Sequence, residues 1–135
     1  MLGLILVIAT MGLPGIAAAR AGYQISTAGY TIAGKVDEAR TNALKRNRQA
    51  WLLINGPAQS LKVQSTDTAG TVIDVGIAEY IPKDVAFVGV TTTQQVTFDA
   101  MGRPVSPPQT IQVQHARSLR QRTVTIMSTG RVTVQ

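Results

Sequence analysis

Residues 1–48 read MLGLILVIATMGLPGIAAARAGYQISTAGYTIAGKVDEARTNALKRNR, and this stretch decides the fold. Its first charge is Arg20, so residues 1–19 form an uninterrupted uncharged run. As a helix that run spans roughly 28 Å at about 1.5 Å per residue, close to the hydrocarbon thickness of a bilayer. Beyond Arg20 the helical period persists in a different form. Ile25, Ala28, Ile32, Val36, Ala39 and Ala43 recur at spacings of three and four, which places them on one helical face. Lys35, Arg40, Lys45, Arg46 and Arg48 are charges that such a helix can hold in water. A single helix is therefore expected from Met1 to about Arg48, roughly 70 Å long. A globule of 135 residues cannot contain such a rod, so the expected shape is a stalk with a head.

Two other readings compete for the uncharged run. A cleaved secretory signal would use residues 2–16 as its apolar region and Ala17-Ala18-Ala19 as its cleavage site, although no basic residue precedes the run. A buried core helix is the third reading, but a small head can hardly wrap a helix that is apolar all round. Pro14, flanked by Gly12 and Gly15, predicts a kink or local melting. Gly22, Gly29 and Gly34 each weaken a helix interior by up to about 1 kcal/mol relative to Ala. Their functional counterpart is close helix–helix approach, which Gly29 and Ala33 permit.

After Arg48 the period becomes strand-like. Residues 49–55 and 59–65 read as a hairpin about the Asn55-Gly56-Pro57 turn, and residues 71–75, 85–90 and 94–99 as further strands. Residues 101–108 hold one Gly and three Pro and read as a loop. Residues 110–115, 123–128 and 131–135 alternate apolar and polar, as half-buried antiparallel strands do, with Thr129-Gly130 as a tight turn. The fold class is α+β. Residues 1–22 form a transmembrane or filament-core helix, residues 23–48 an amphipathic continuation, and residues 49–135 a small antiparallel β-rich head. Aromatics make up only 4% of the chain, so the head core must rest on Val, Ile and Leu.

Composition also limits the chemistry. Cysteine is absent, which excludes disulfides, thiolate catalysis and Cys-based zinc sites and leaves the compartment open. His115 is the only histidine, so neither a Cys–His nucleophile nor a multi-histidine metal site can form. No catalytic residues, cofactor, metal or small-molecule substrate are expected. Asp99 lies just before a turn, where a carboxylate accepts backbone N–H bonds. His115 reads as a surface or capped residue on a strand among arginines.

The charge pattern points to a partner class. The chain carries a net charge of +6, and residues 100–135 contain Arg103, Arg117, Arg120, Arg122, Arg131 and His115 with no Asp or Glu. Such a one-signed region can neutralise phosphates without sequence readout, and the forked donors of Arg suit phosphate oxygens. No aromatics interleave for base stacking, so any DNA contact would be backbone-directed and salt-sensitive. The competing reading is a solvated basic face or a contact with acidic neighbouring subunits.

The order of apolar helix, amphipathic continuation, basic cluster and β head resembles a type IV pilin or type II secretion pseudopilin. Three motifs sharpen this toward the FimT/GspH class of minor pilins. Glu38-Ala39-Arg40…Asn42-Ala43…Lys45-Arg46-Asn47-Arg48 is similar to that class's helix-to-strand junction. Val96-Thr97-Phe98-Asp99…Gly102-Arg103 resembles its central strand and turn. Residues 124–132, Val-Thr-Ile-Met-Ser-Thr-Gly-Arg-Val, resemble its C-terminal strand–turn–strand signature. The resemblance implies a structural subunit of a type IV pilus or secretion pseudopilus, joined to other subunits through its N-terminal helix. It also implies single-pass residence in the bacterial inner membrane, with lipid around the helix before assembly and the head in the periplasm. The alternative is a DNA-binding minor pilin that captures extracellular DNA with its basic head. A peripheral membrane protein with no assembly role is a third option. The sequence departs from the family in three ways. Aligning the apolar run puts Met1 near the third position of a typical mature pilin, so the processing site and first residues would lie upstream. The expected Glu falls at Gly3. The Gly-Arg-x-Arg element of DNA-binding relatives keeps only its first Arg, since Thr133 takes the second place.

Overall fold

The computed structural model describes residues 2–105 and 109–135, with side chains from Gly15 onward. Its first element is the 45-residue helix α1 (Leu2–Arg46), continuous through Pro14 rather than locally melted. Eight strands follow: β1 (Ala50–Asn55), β2 (Ser60–Thr66), β3 (Val72–Tyr80), β4 (Val85–Phe87), β5 (Thr93–Phe98), β6 (Gln109–His115), β7 (Gln121–Ile126) and β8 (Val132–Val134). They form two antiparallel four-stranded sheets, ordered β3-β2-β1-β5 and β4-β6-β7-β8. The expected α+β architecture, a long helix on an antiparallel head, is the one observed.

The helical stripe read from the sequence is the keel of the core. Ile25, Ala28, Ile32, Val36, Ala39 and Ala43 are all buried, packed with the inward positions of both sheets. Those positions follow the alternation of the strands: Ala50, Leu52 and Ile54 on β1, Leu61 and Val63 on β2, Ile111 and Val113 on β6, Val124 and Ile126 on β7. Half of the helical stripe is alanine, which lets the sheets lie close to the helix axis. Phe98, fully buried at the end of β5, supplies the largest core side chain.

The helix ends where its backbone turns left-handed at Asn47, at φ 52°. The Arg48 N–H then donates to the Ala43 carbonyl at 3.1 Å and the Asn47 N–H to that of Leu44 at 3.2 Å. This closes carbonyls that the helix itself leaves open, while Lys45 and Arg46 complement the negative end of its dipole.

Several expectations need correction. β3 runs on to Tyr80 rather than stopping at Val75, because Gly76 adopts φ +73° where the register against β2 shifts between Leu61 and Val63. The glycine lets the strand bulge and continue. β4 stops at Phe87 rather than Val90, since the Val90 carbonyl leaves that sheet to lie against Gly56 in the β1–β2 turn. Gly29 serves helix–sheet contact, not helix–helix contact: a Cβ there would meet Val134 Cγ1 at 3.1 Å. Lys35 is buried rather than solvated. Its ammonium sits 2.9 Å from Glu38 and 3.9 Å from Glu79 and donates to the Ile77 carbonyl at 3.1 Å.

Among the described residues the head first covers α1 at Ala21, and Gly15 through Arg20 are exposed. Among the described residues no helix is long and apolar enough to cross a membrane. The run expected to do so, residues 1–19, falls mostly on side chains outside the described residues, as does the end of the 101–108 loop.

Candidate functional site

The three motifs that are far apart in sequence meet at one end of the head. Asp99 directly follows β5 and accepts the N–H groups of Met101 and Arg103, each at 2.9 Å, on one carboxylate oxygen, as expected of a turn carboxylate. The resulting turn presents the Gly102 carbonyl, to which Arg40 of α1 donates at 3.2 Å. The β7–β8 turn closes through Gly130 N–H to Met127 at 2.8 Å and Met127 N–H to Arg131 at 2.9 Å. It packs onto the same place. A Cβ on Gly130 would lie 2.4 Å from the Gly102 carbonyl oxygen and 2.9 Å from Arg40 Nε, and its φ of +86° already excludes most side chains. Arg103 and Arg131 directly follow these two glycines and are both exposed.

The five arginines read as one basic region therefore occupy separate places. Arg103 and Arg131 share the end beside Arg40. Arg117 and Arg120 lie in the β6–β7 turn, where Arg120 Nη1 would be 3.0 Å from a Cβ on Gly22. Gly22 and Arg40 are roughly 27 Å apart along α1 at about 1.5 Å per residue. Arg122 sits between, half-buried, its Cβ and Cγ within 4 Å of where a Gly29 Cβ would be, so its stem packs on the helix. Among the described residues no arginine comes within ion-pair distance of a carboxylate, and all three salt bridges belong to lysines.

The β6–β7 turn is built around His115. Its side chain is buried, contrary to a surface position, and it caps the turn as the alternative reading had it. Nδ1 faces two backbone donors, Arg117 N–H at 3.3 Å and Ser118 N–H at 3.2 Å, which makes it the acceptor nitrogen. The proton then resides on Nε2, which donates to Gln24 Oε1 at 2.9 Å, and Gln24 in turn reaches Asp84 at 3.4 Å. This chain of polar contacts ties the helix to the turn and aims Arg117 and Arg120 at the exposed start of the head. A groove of about 430 Å³ lies there, with Ile16, Ala17, Ala18 and Ala21 on one wall and Arg20, Arg117 and Asp84 at its rim. Sequence reasoning passed over Arg20 and Arg40 as site residues. The signal for Arg40 was its place inside the junction motif, and for Arg20 its place as the first charge of the chain.

One long helix laid along two small antiparallel sheets is a pilin-like fold. Residues 30–130 match the family model described as "Type II transport protein GspH", and the chain belongs to this family of type IV minor pilins and secretion pseudopilins. It is a family of structural subunits, not of catalysts. No curated protein matches the sequence. The fold is similar to that of the type IV minor pilin FimU of Pseudomonas aeruginosa, with a TM-score of 0.67 at 15% identity, covering 84% of this chain and 89% of FimU. The minor pseudopilin EpsH from the Type 2 Secretion System of Vibrio cholerae is similar at TM-score 0.67 and 10% identity, over 83% of this chain and 96% of EpsH.

Proposed function

We propose that this subunit is held in the bacterial inner membrane by the uncharged part of α1, with its head in the periplasm. On assembly that part packs against the corresponding helices of neighbouring subunits. The observation that carries this reading is where the head's cover begins. Residues 1–19 hold no charge, and among the described residues the exposed stretch from Gly15 to Arg20 precedes Ala21, the first that the head buries, so this stretch is left for a covering from outside the head. Lipid and other apolar helices are the two coverings chemically available. The full chain should need detergent to remain dispersed, whereas a truncation beginning at Tyr23 should be soluble. Free solubility of the full chain as a monomer without detergent would refute the reading.

A second reading has its own support at the opposite end of the head. Arg103 and Arg131 are exposed, unpaired among the described residues, and brought together by the glycine turns against Arg40. Such a group suits the phosphates of duplex DNA, without sequence preference and with affinity that falls steeply as salt rises. Replacing both Arg103 and Arg131 with Ala should weaken the mobility shift of DNA at low salt. Lys62→Ala should not, since Lys62 is paired with Asp74 at 2.7 Å on another strand. A shift indifferent to the arginine changes leaves the cluster to contacts between subunits.

A further inference from the structure

The groove at the lower end of the head has a composition that fits a particular ligand. One wall is the exposed stretch of α1 just ahead of the head, with Ile16, Ala17 and Ala18, and offers only apolar contact. Arg20 and Arg117 line it as well, and Arg120, in the same turn as Arg117, lies beside Gly22, one residue along α1 from Ala21 of the lining. The lining carries two arginines against one carboxylate, Asp84, and so keeps an excess of positive charge. The position matters as much as the charges. Arg20 closes the uncharged run, so if that run lies in a bilayer, the rim stands at the level of the lipid phosphates.

We propose that this groove holds an anionic phospholipid, with its phosphate among Arg20, Arg117 and Arg120 and the start of its acyl chain along Ile16, Ala17 and Ala18. The inference rests on the membrane reading above. It adds a site, formed by helix and head together, that distinguishes anionic from zwitterionic lipid. The buried His115–Gln24 contact holds the two arginines of the turn over the helix and so pre-forms the site. Arginine suits the role through its forked donors, which can bridge two phosphate oxygens.

The test uses the full chain, purified from membranes into mild detergent with equal phosphatidylglycerol and phosphatidylcholine, with retained lipid read by native mass spectrometry. Phosphatidylglycerol should be retained in clear excess, and each arginine removed from the rim should lower that excess by about fivefold. The variants are Arg117→Ala with Arg120→Ala, and separately Arg20→Ala, whose exposed side chain leaves the turn intact. Arg103→Ala with Arg131→Ala, at the far end of the head, should retain the wild-type preference. Equal retention of the two lipids by wild type, or equal loss from both arginine pairs, overturns the proposal. Displacement of the lipid by inorganic phosphate alone would assign the groove to free phosphate and overturns it too. Alkaline carbonate extraction separates the two readings. A chain that resists extraction but shows no lipid preference defeats this inference and leaves the anchor, whereas a chain that is extracted defeats both.

Discussion

The two ends of the head are both basic, yet they are built in opposite ways. At the upper end the backbone does the joining: two glycine turns touch, and Arg40 donates to the Gly102 carbonyl between them. At the lower end side chains do it, through Asp84, Gln24 and the buried His115. The upper joint therefore tolerates no added atom, whereas the lower one depends on particular polar groups finding each other. Arginine is used differently as well. Arg40 is part of the joint, while Arg117 and Arg120 are carried by a turn whose fixed point is another residue.

Substitutions at the two ends should break this contrast apart. The largest loss is expected from Gly130→Ala, which would force a Cβ to 2.4 Å from the Gly102 oxygen at a φ of +86°. A destabilisation of about 3 kcal/mol should follow, read by thermal or denaturant unfolding. If Gly130→Ala melts like wild type, the upper joint is not closed as described. His115→Ala should cost less, about 2 kcal/mol, by leaving Gln24 Oε1 without its donor and a hole in the floor of the turn. It should also reduce the lipid preference assigned to Arg117 and Arg120, which Gly130→Ala should not do in the chains that remain folded. Gly34→Ala should act in the opposite direction. A Cβ there meets nothing within 4 Å, so removing a helical glycine should stabilise by up to about 1 kcal/mol. A loss of stability would mean that Gly34 packs on something beyond the chain itself.

The smallest effect is expected at Asp74, away from both ends. Hydrogen bonds from Lys62, and then from Gln64, hold its carboxyl below the ordinary carboxylate value. A group depressed on folding contributes stability above its unfolded pKa and loses it as pH falls through the folded value, so the contribution is confined to pH above the acid range. The pair is solvent-exposed, and Asp74→Asn should leave the melting temperature at neutral pH unchanged within error. An acid-side difference that persists at high salt would show the pair to be better shielded than its exposure suggests.

What the sequence disclosed follows from what kind of physics each feature uses. The helix stripe and most strands were legible, because burial on one face writes a period into the chain, and Ile25 to Ala43 and the alternation of β1, β2, β6 and β7 carry that period plainly. β3 was read only to Val75, and it is the pairing with β2 that carries the strand past Gly76 through a bulge. Lys35 was placed in water and His115 read as surface or capped because their residue types favour water, whereas partners 42 and 91 positions away help to satisfy them inside. The arginines were legible as a list but not as a map. Which turn touches which depends on the two sheets closing over the helix, and no local pattern encodes that.

The buried Lys35 has a consequence for the way this protein associates. Its ammonium occupies the Ile77 carbonyl on β3, the nine-residue edge of its sheet, near the bulge at Gly76. An open edge of that length, with Val72, Ile77 and Tyr80 exposed, is a template on which another chain could add a strand. The opposite sheet ends in β8, only three residues long. Of the four sheet edges, β3 is obstructed by a cation and a bulge and β4 and β8 are only three residues long, so strand addition is disfavoured at all but β5. If subunits assemble along the helix as proposed above, these edges limit their association sideways through the sheets.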